Sequence, residues 1–283
     1  RDFTWSQQFV YSQVINSVGQ SNLNYTFKDY VNGNAILTGK PIGAFYSYKF
    51  KGLSHEYGIP EYDFNGAESH GVSNPADFLV YSGRQDPAFS MGSSTTLRYK
   101  NLSLTANFYL ALGNYHRLNP IYGGFAAITG GITSPGIPDA DENLPKELVD
   151  RWRKPGDELK TNIPANTNWA EQSGFVFIYT VQNGEGTGTT LNRLSPYNIY
   201  DYSTVRVVNA GYLRCQSMML NYMLPAEVYK RLGIKGGNIA FTVNNPFVIK
   251  SKEMLWQDPE NSGTGTGSMP TTASYYLTIG ITF

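Results

Sequence analysis

Long runs of alternating apolar and polar residues constrain the fold of this chain more than any other feature. The C-terminal run ASYYLTIGITF, residues 273–283, alternates without interruption. Successive side chains of a strand point to opposite faces, so this run predicts a strand with one apolar and one polar face. The apolar face would carry Tyr275, Leu277, Ile279, Ile281 and Phe283.

The clearest pair of such runs lies at residues 88–113, AFSMGSSTTLRYKNLSLTANFYLALG. A tight turn at Lys100 and Asn101 separates two stretches. In each of them one set of alternate positions is mainly apolar and the other set is mainly polar. This pattern predicts a hairpin of two long strands. The apolar residues at alternate positions are Phe89, Met91, Leu97 and Tyr99 in the first strand, and Leu102, Leu104, Ala106, Phe108, Leu110 and Leu112 in the second.

Four further runs have strand character and bring the predicted number of strands to seven. They are DFTWSQQFVYSQVINSV near the start, GAFYSYKFKGL at 43–53, the region 204–224 and GGNIAFTVNNPFVI at 236–249. Between the last two, PAEVYKRLGI predicts one or two helical turns with Pro225 at the first position.

The predicted connections alternate between short turns and long loops at 54–87, 114–203 and 251–272. Loops beyond roughly 15 residues are uncommon in compact soluble domains. Short turns at one end and long loops at the other are typical of outer-membrane barrels, and Tyr99, Tyr222 and Phe283 would form an aromatic girdle at one end. The predicted fold class is therefore all-β, an antiparallel up-and-down transmembrane β-barrel segment with long extracellular loops.

A soluble β-sandwich that binds ligands or mediates adhesion is the alternative, since periodicity does not distinguish lipid from a protein core.

The composition of the chain argues against some partners and some kinds of stabilisation. Twenty-two basic and 22 acidic residues balance, which argues against a nucleic-acid partner. Cys215 is the single cysteine, so no disulfide framework is expected. The chain starts at Arg1, and we expect it to be a piece of a longer precursor.

No motif in the sequence predicts catalysis. Nucleophile elbows, P-loops and dinucleotide fingerprints do not occur in it, and His55, His70 and His116 lack the spacing of zinc ligands. We therefore expect no enzyme activity and no cofactor, with one exception. The oxygens of Asp139, Asp141 and Asn143 alternate as in calcium loops, but the glycine and the distal glutamate of such loops are absent, which favours a solvated acidic loop over a calcium site.

The longest predicted loop contains a segment with helical spacing, PKELVDRWRK, in which Leu148 and Trp152 would share a face. The same loop is rich in large aromatic side chains. Such side chains can stack on sugars or peptide side chains, but a loop of this length also requires a small core of its own. The candidate residues for contact with cargo or with a lid are Trp152, Trp169, Tyr197, Tyr200 and Tyr202.

Several segments, taken in order, resemble the C-terminal region of the SusC/RagA-like TonB-dependent outer-membrane transporters. The segment ENLPKELVDRWRKPGDELKTNIP, 142–164, is similar to an outer loop of one branch of that family. The other segments are GKPIGAFYSYKFKGL, YSGRQDPAFSMGSSTTLRYKNLSLTANFY, GYLRCQSMMLNYMLPAEVYKRLGI, VNNPFVIK, QDPE and LTIGITF.

The resemblance implies energised import of an oligosaccharide or a peptide across the bacterial outer membrane. It implies a SusD-like surface lipoprotein as the lid, TonB as the energy transducer, outer-membrane lipid around the barrel, and Phe283 as a signal for the barrel-assembly machinery. Residues 1–283 would be about seven C-terminal strands of a barrel of about 22, without the plug domain, the TonB-contacting segment or the N-terminal strands. A passive porin remains the other membrane alternative.

Overall fold

The computed structural model of this chain describes residues 2–21, 23, 25–64, 78–122, 145–166, 177–182, 189–261 and 269–283. Its largest unit is a six-stranded antiparallel sheet. The strands are β1 (Phe3–Gln13), β5 (Phe89–Tyr99), β6 (Leu102–Leu112), β11 (Tyr212–Met223), β12 (Gly236–Lys250) and β13 (Ser274–Thr282), and neighbours pair in this order. The two outer strands, β1 and β13, leave open edges, so the sheet is not closed within this chain.

The antiparallel fold class is confirmed, but one of the seven predicted barrel strands lies elsewhere. Residues 43–53 form β2 (Ala44–Leu53), which belongs to a separate three-stranded sheet with β3 (Pro60–Asp63) and β4 (Leu79–Arg84). Five consecutive residues of β2 are buried on both of its faces, which a strand with one exposed face could not show. The run at 204–224 is also shorter than predicted, because β11 begins only at Tyr212.

The register of the six strands places most of the large apolar residues on the same face. One row of paired residues crosses the whole sheet and is apolar throughout: Trp5, Leu97, Leu104, Leu220, Phe241 and Leu277. The row behind it on the other face is mainly polar: Ser6, Thr96, Thr105, Met219, Thr242 and Tyr276. We call these two sides of the sheet the apolar face and the polar face. Large side chains of the apolar face are exposed, with Trp5 at 66% and Leu277 at 69%.

A β-bulge at Gln216 changes the parity of β11. On both sides of this strand the register shifts between Cys215 and Ser217, so Gln216 has no single partner. One extra residue reverses which side chains face which way. As a result Leu213 and Cys215 continue the apolar face, while Tyr212 and Arg214 lie on the polar face.

The long connections leave the sheet at one end, which we call the cap end. The described parts of residues 14–88 and 113–211 pack together there into a unit that we call the cap. Its cores are rich in tyrosine and contain residues of both connections, for example Ile59 beside Tyr122 and Tyr200. Beyond β2, β3 and β4, the cap comprises α1 (Phe27–Asn32), β7 (Tyr115–Arg117), the hairpin β8 (Phe177–Gln182) and β9 (Thr189–Leu194), α2 (Pro196–Tyr200) and β10 (Val207–Asn209).

The opposite end of the sheet, the turn end, has short connections. One is the predicted tight turn at Lys100 and Asn101; the other is the segment 224–235, which contains α3 (Ala226–Arg231) as predicted. Tyr99 and Tyr222 both lie on the apolar face at this end, as expected of a girdle. Within the described ranges no helix has the length and hydropathy needed to cross a membrane.

The register generates a first prediction. In a complete barrel that contains this chain, Leu104→Arg places a charge on the apolar face and should destabilise the folded barrel by about 2–4 kcal/mol near the bilayer midplane. Thr105→Arg, one residue later on the polar face, should cost much less. The heat-dependent gel shift of each variant measures the folded fraction. Equal losses for both variants would contradict the assignment of faces.

Candidate functional site

The polar face presents a mainly hydrophilic wall. Its side chains bond to one another across strands: Asn107 Nδ2 donates to Ser217 Oγ at 2.9 Å, and Asn238 Nδ2 donates to Asn221 Oδ1 at 2.8 Å. Thr96 and Thr105 also share a hydrogen bond. This wall can line a water-filled or plugged interior without leaving these amides and hydroxyls unpaired.

Two hydrogen bonds pair polar groups on the apolar face. Gln7 Nε2 donates to Ser93 Oγ at 2.8 Å, and Trp5 Nε1 donates to Thr95 Oγ1 at 3.1 Å. A polar group in hydrocarbon is costly unless it is hydrogen-bonded, so these pairs fit a face that contacts lipid. A soluble sandwich would instead cover this face with a second sheet, and no described residue does so.

An ion network holds the connection between β12 and β13 against the polar face at the cap end. Arg214 Nη2 lies 2.5 Å from Asp258 Oδ1, and Arg214 Nε lies 3.1 Å from Glu260 Oε1. Tyr212 donates its hydroxyl proton to Glu260 at 2.9 Å, and Lys250 Nζ donates to the carbonyl of Gln257. Arg214, Gln257 and Asp258 are buried. Residues 251–261 are therefore fixed at the mouth of the polar face.

Asp258 stays ionised in this network. Burial alone would raise its pKa, but hydrogen bonds from the backbone N–H of Glu260, from Arg214 and from the backbone N–H of Thr271 together hold the pKa below its usual range. A carboxylate with a lowered pKa adds stability above the pKa of the unfolded chain, near 3.9, and loses that stability as the pH falls through the folded value.

The two long connections are tied to each other by charged side chains inside the cap. The guanidinium of Arg117 donates to the carbonyls of Val31 at 2.7 Å and Tyr46 at 2.9 Å, and lies 5.3 Å and 5.2 Å from the ring centroids of Phe45 and Tyr202. It therefore joins α1, β2 and β7.

A second tie lies within the longer connection. The carboxylate of Asp201 accepts hydrogen bonds from the backbone N–H groups of Ile121 at 2.8 Å and Tyr122 at 3.0 Å. Arg206 pairs with Glu147 and donates to the carbonyl of Asn119 at 2.5 Å. Because both Asp201 and Arg206 are buried, the cap has a defined shape rather than a set of independent loops.

The aromatic residues predicted to contact cargo or lid lie mainly in the core of the cap. Trp152, Tyr197 and Tyr200 are 7%, 2% and 1% exposed, and Tyr202 is half-buried beside Arg117. Trp169 lies outside the described residues. In these positions the first three side chains stabilise the cap, which is the alternative that the sequence left open. Contact with cargo or lid stays a prediction.

Trp152 forms the wall of an open cleft of about 500 Å³ in the cap. Its ring packs directly on Gly58, which has a left-handed backbone with φ +63°. The indole Nε1 donates to Glu158 Oε2 at 3.1 Å. The hydrogen bond from His55, followed by those from the backbone N–H of Glu158 itself, from Trp152 and from the backbone of Gly156, lowers the pKa of Glu158 to about 2. The cleft is lined by Glu56, Tyr57, Arg151, Trp152, Arg153, Ala165 and Asn166.

The described residues hold no group of three side chains that could ligate a metal ion together. His55 pairs with Glu158 at 2.6 Å, and His116 is buried far from it in sequence. His70 and the calcium candidate Asp139, Asp141 and Asn143 lie outside the described residues. The calcium hypothesis stays a prediction.

Comparisons with known proteins agree with this architecture. TonB-dependent receptor P3 of Formosa agariphila is 28% identical over 134 residues, which are 40% of this chain and 13% of that receptor. Structures of the RagAB peptide importer match all of this chain: TM-score 0.64 at 20% identity in the open-open state, and 0.61 at 17% in the closed-closed state. No family model matches the chain.

The predicted resemblance to SusC/RagA-like TonB-dependent transporters is confirmed. The fold of this chain is similar to that of part of the RagAB chains. The chain spans 13% of the matched receptor and 27–28% of the matched importer chains. These relatives are a receptor and an importer rather than enzymes, in agreement with the expectation that the chain is not an enzyme.

The ion network yields a prediction for residues 251–261. Asp258→Asn leaves the buried guanidinium of Arg214 with Glu260 as its remaining carboxylate partner. Breaking a buried pair typically costs 3–5 kcal/mol, and we expect about 3 kcal/mol here because Glu260 stays. Hydrogen exchange in 251–261 should accelerate, and the wild type should show the same change as the pH falls below about 3.9. Glu253→Gln, an exposed change in the same connection, is the control, and equal exchange in both variants would contradict the account.

A second prediction concerns the packing of the cleft. Gly58→Ala puts a methyl group into the ring of Trp152 and strains a left-handed backbone, and should destabilise the cap by about 2–4 kcal/mol. Gly156→Ala strains a comparable backbone, φ +96°, but its methyl group meets no atom within 4 Å and should cost about 1–2 kcal/mol. Unfolding followed by tryptophan fluorescence compares them, and equal costs would mean that the ring contact contributes nothing.

Proposed function

We propose that this chain is the C-terminal barrel region of a TonB-dependent importer in the bacterial outer membrane. Such an importer would take up an oligosaccharide or a peptide through a barrel that a plug occupies at rest. The observation that carries this proposal is the register of the six strands. It separates an exposed apolar face from a polar face over the whole sheet, and the likeness to RagAB supports the proposal that this sheet is part of a larger barrel.

The cap would lie outside the cell and the turn end in the periplasm. All three long connections emerge at the cap end, whereas the turn end has one two-residue turn and the segment 224–235. Outer-membrane barrels have long extracellular loops and short periplasmic turns. On this arrangement the cap and residues 251–261 stand at the entrance, where cargo and a lid would arrive.

The proposed partners are a SusD-like surface lipoprotein above the cap, TonB in the periplasm, and the barrel-assembly machinery, which would read the terminal strand with Phe283. RagAB is a peptide importer, and the likeness to it supports a peptide as cargo. The open cleft with Arg151, Arg153 and Glu56 is polar and also suits a glycan, so both cargo classes remain in the proposal.

Cysteine labelling on intact cells tests the topology. Leu159→Cys introduces a thiol at an 87% exposed position of the cap, and Leu232→Cys introduces one at a 64% exposed position of the turn end. A membrane-impermeant maleimide should label the first on intact cells and the second only after the outer membrane is permeabilised. The native Cys215 is buried and serves as the unlabelled background. The reverse labelling pattern would invert the topology.

Uptake measurements test the function and separate it from a passive porin. Cells that express the complete transporter should accumulate labelled oligopeptides or oligosaccharides, and accumulation should stop when TonB is deleted or the proton gradient is collapsed. Asp258→Asn should reduce uptake, with Glu253→Gln as the control. Uptake that persists without TonB would favour a porin. No uptake of either class would contradict the proposed cargo.

A further inference from the structure

The segment 224–235 at the turn end carries an unpaired cluster of basic side chains. Lys230, Arg231 and Lys235 are all exposed, and no described carboxylate lies within ion-pair distance of any of them. Glu227 is the single acidic residue of the segment. The segment therefore has three positive charges and one negative charge within a short stretch of chain.

The ends of this segment pack on the apolar side of the sheet rather than on the polar side. Gly237 is on the apolar face, in register with Ile281. A Cβ atom on Gly237 would lie 2.9 Å from Leu224 Cδ1 and 3.7 Å from Ile234 Cδ1. The side chains at both ends of the segment thus cover the apolar side of the sheet. The backbone N–H of Lys235 donates to the carbonyl of Thr282. Lys235 stands two positions before Gly237, and alternate positions of a strand share a face.

Exposed apolar side chains accompany the basic ones. Val228 and Leu232 are 39% and 64% exposed, and the girdle residue Tyr222 of the apolar face is exposed as well. Apolar and basic side chains combined in one short segment are typical of protein surfaces that rest on anionic lipid. Long basic side chains reach the head groups while the apolar side chains remain in the acyl region.

We propose that residues 224–235 bind the phosphate head groups of anionic phospholipids in the leaflet at the turn end. This inference rests on the proposed function, which places the apolar face in lipid. The ammonium groups of Lys230 and Lys235 and the guanidinium of Arg231 pair with lipid phosphates, and Leu232 enters the acyl chains. The contact continues the lipid-facing surface of β11, β12 and β13 and is weakened by salt.

Photocrosslinking to defined lipids tests the proposal in the complete transporter. Leu232→p-benzoylphenylalanine places the probe in the segment, and the same change at Ile281 places it on the apolar face. Nanodiscs contain phosphatidylglycerol or phosphatidylcholine. We expect Leu232 to crosslink phosphatidylglycerol at least about five-fold more than phosphatidylcholine at low salt, and Ile281 to show no preference.

Charge variants identify the groups responsible. Lys230→Gln, Arg231→Gln and Lys235→Gln, combined, should bring the ratio at Leu232 close to one. Lys51→Gln, Lys154→Gln and Lys252→Gln, combined, remove three exposed charges at the other end of the molecule and should leave the ratio unchanged.

The other outcomes each overturn a specific statement. Equal crosslinking of both lipids from Leu232 would refute the head-group contact, and crosslinks to a protein on cells would replace the lipid with a periplasmic partner. Lipid crosslinks at Ile281 without any at Leu232 would refute this inference alone. No lipid crosslink at Ile281 would refute the proposed function and this inference together.

Discussion

The structure depends on one constraint, which is the antiparallel register of the six strands. This register keeps the mainly apolar alternate positions of each strand on a single face of the sheet. Except along the open edges of β1 and β13, backbone hydrogen bonds are satisfied within the sheet, so the apolar face needs no further partner than hydrocarbon. A one-residue slip in any strand would bring its polar side chains to that face. The Gln216 bulge shows how closely register and function are linked, because the parity change that it introduces places Arg214 on the polar face.

The cap follows from the same arrangement. All the long connections lie at the same end of the sheet. Connections of this length cannot remain structured in water without a core. Tyrosines from both long connections supply that core, while the buried charges of Arg117, Asp201 and Arg206 fix how the connections meet. The Arg214–Asp258 pair then joins the third connection to the polar face. The cap and residues 251–261 are therefore both anchored to the strand ends at the cap end of the sheet.

Period-two alternation predicted the strands of the sheet and the hairpin around Lys100, because a strand between an apolar and a polar environment must alternate. The assignment to a barrel also needed the alternation of short turns with long loops and the family resemblance. Period-two alternation failed for β2, since alternating tyrosines that enter a protein core produce the same pattern as those that face lipid. The role of Trp152, Tyr197 and Tyr200 in the cap core was open for a related reason: composition does not reveal whether an aromatic ring points inward. The Arg214 network was missed because its face depends on a bulge that the sequence does not mark.

The central claim is that one face of this sheet lies in lipid and the other in a polar lumen. The most direct measurement is a scan of single bimane-labelled cysteines along residues 102–112 of the complete barrel, reconstituted in bilayers of brominated lipid. The account predicts strong quenching at 104, 106 and 108 and weak quenching at 105, 107 and 109, in step with the register of β6. Quenching that does not alternate, or that is strongest at the odd-numbered positions, would contradict it.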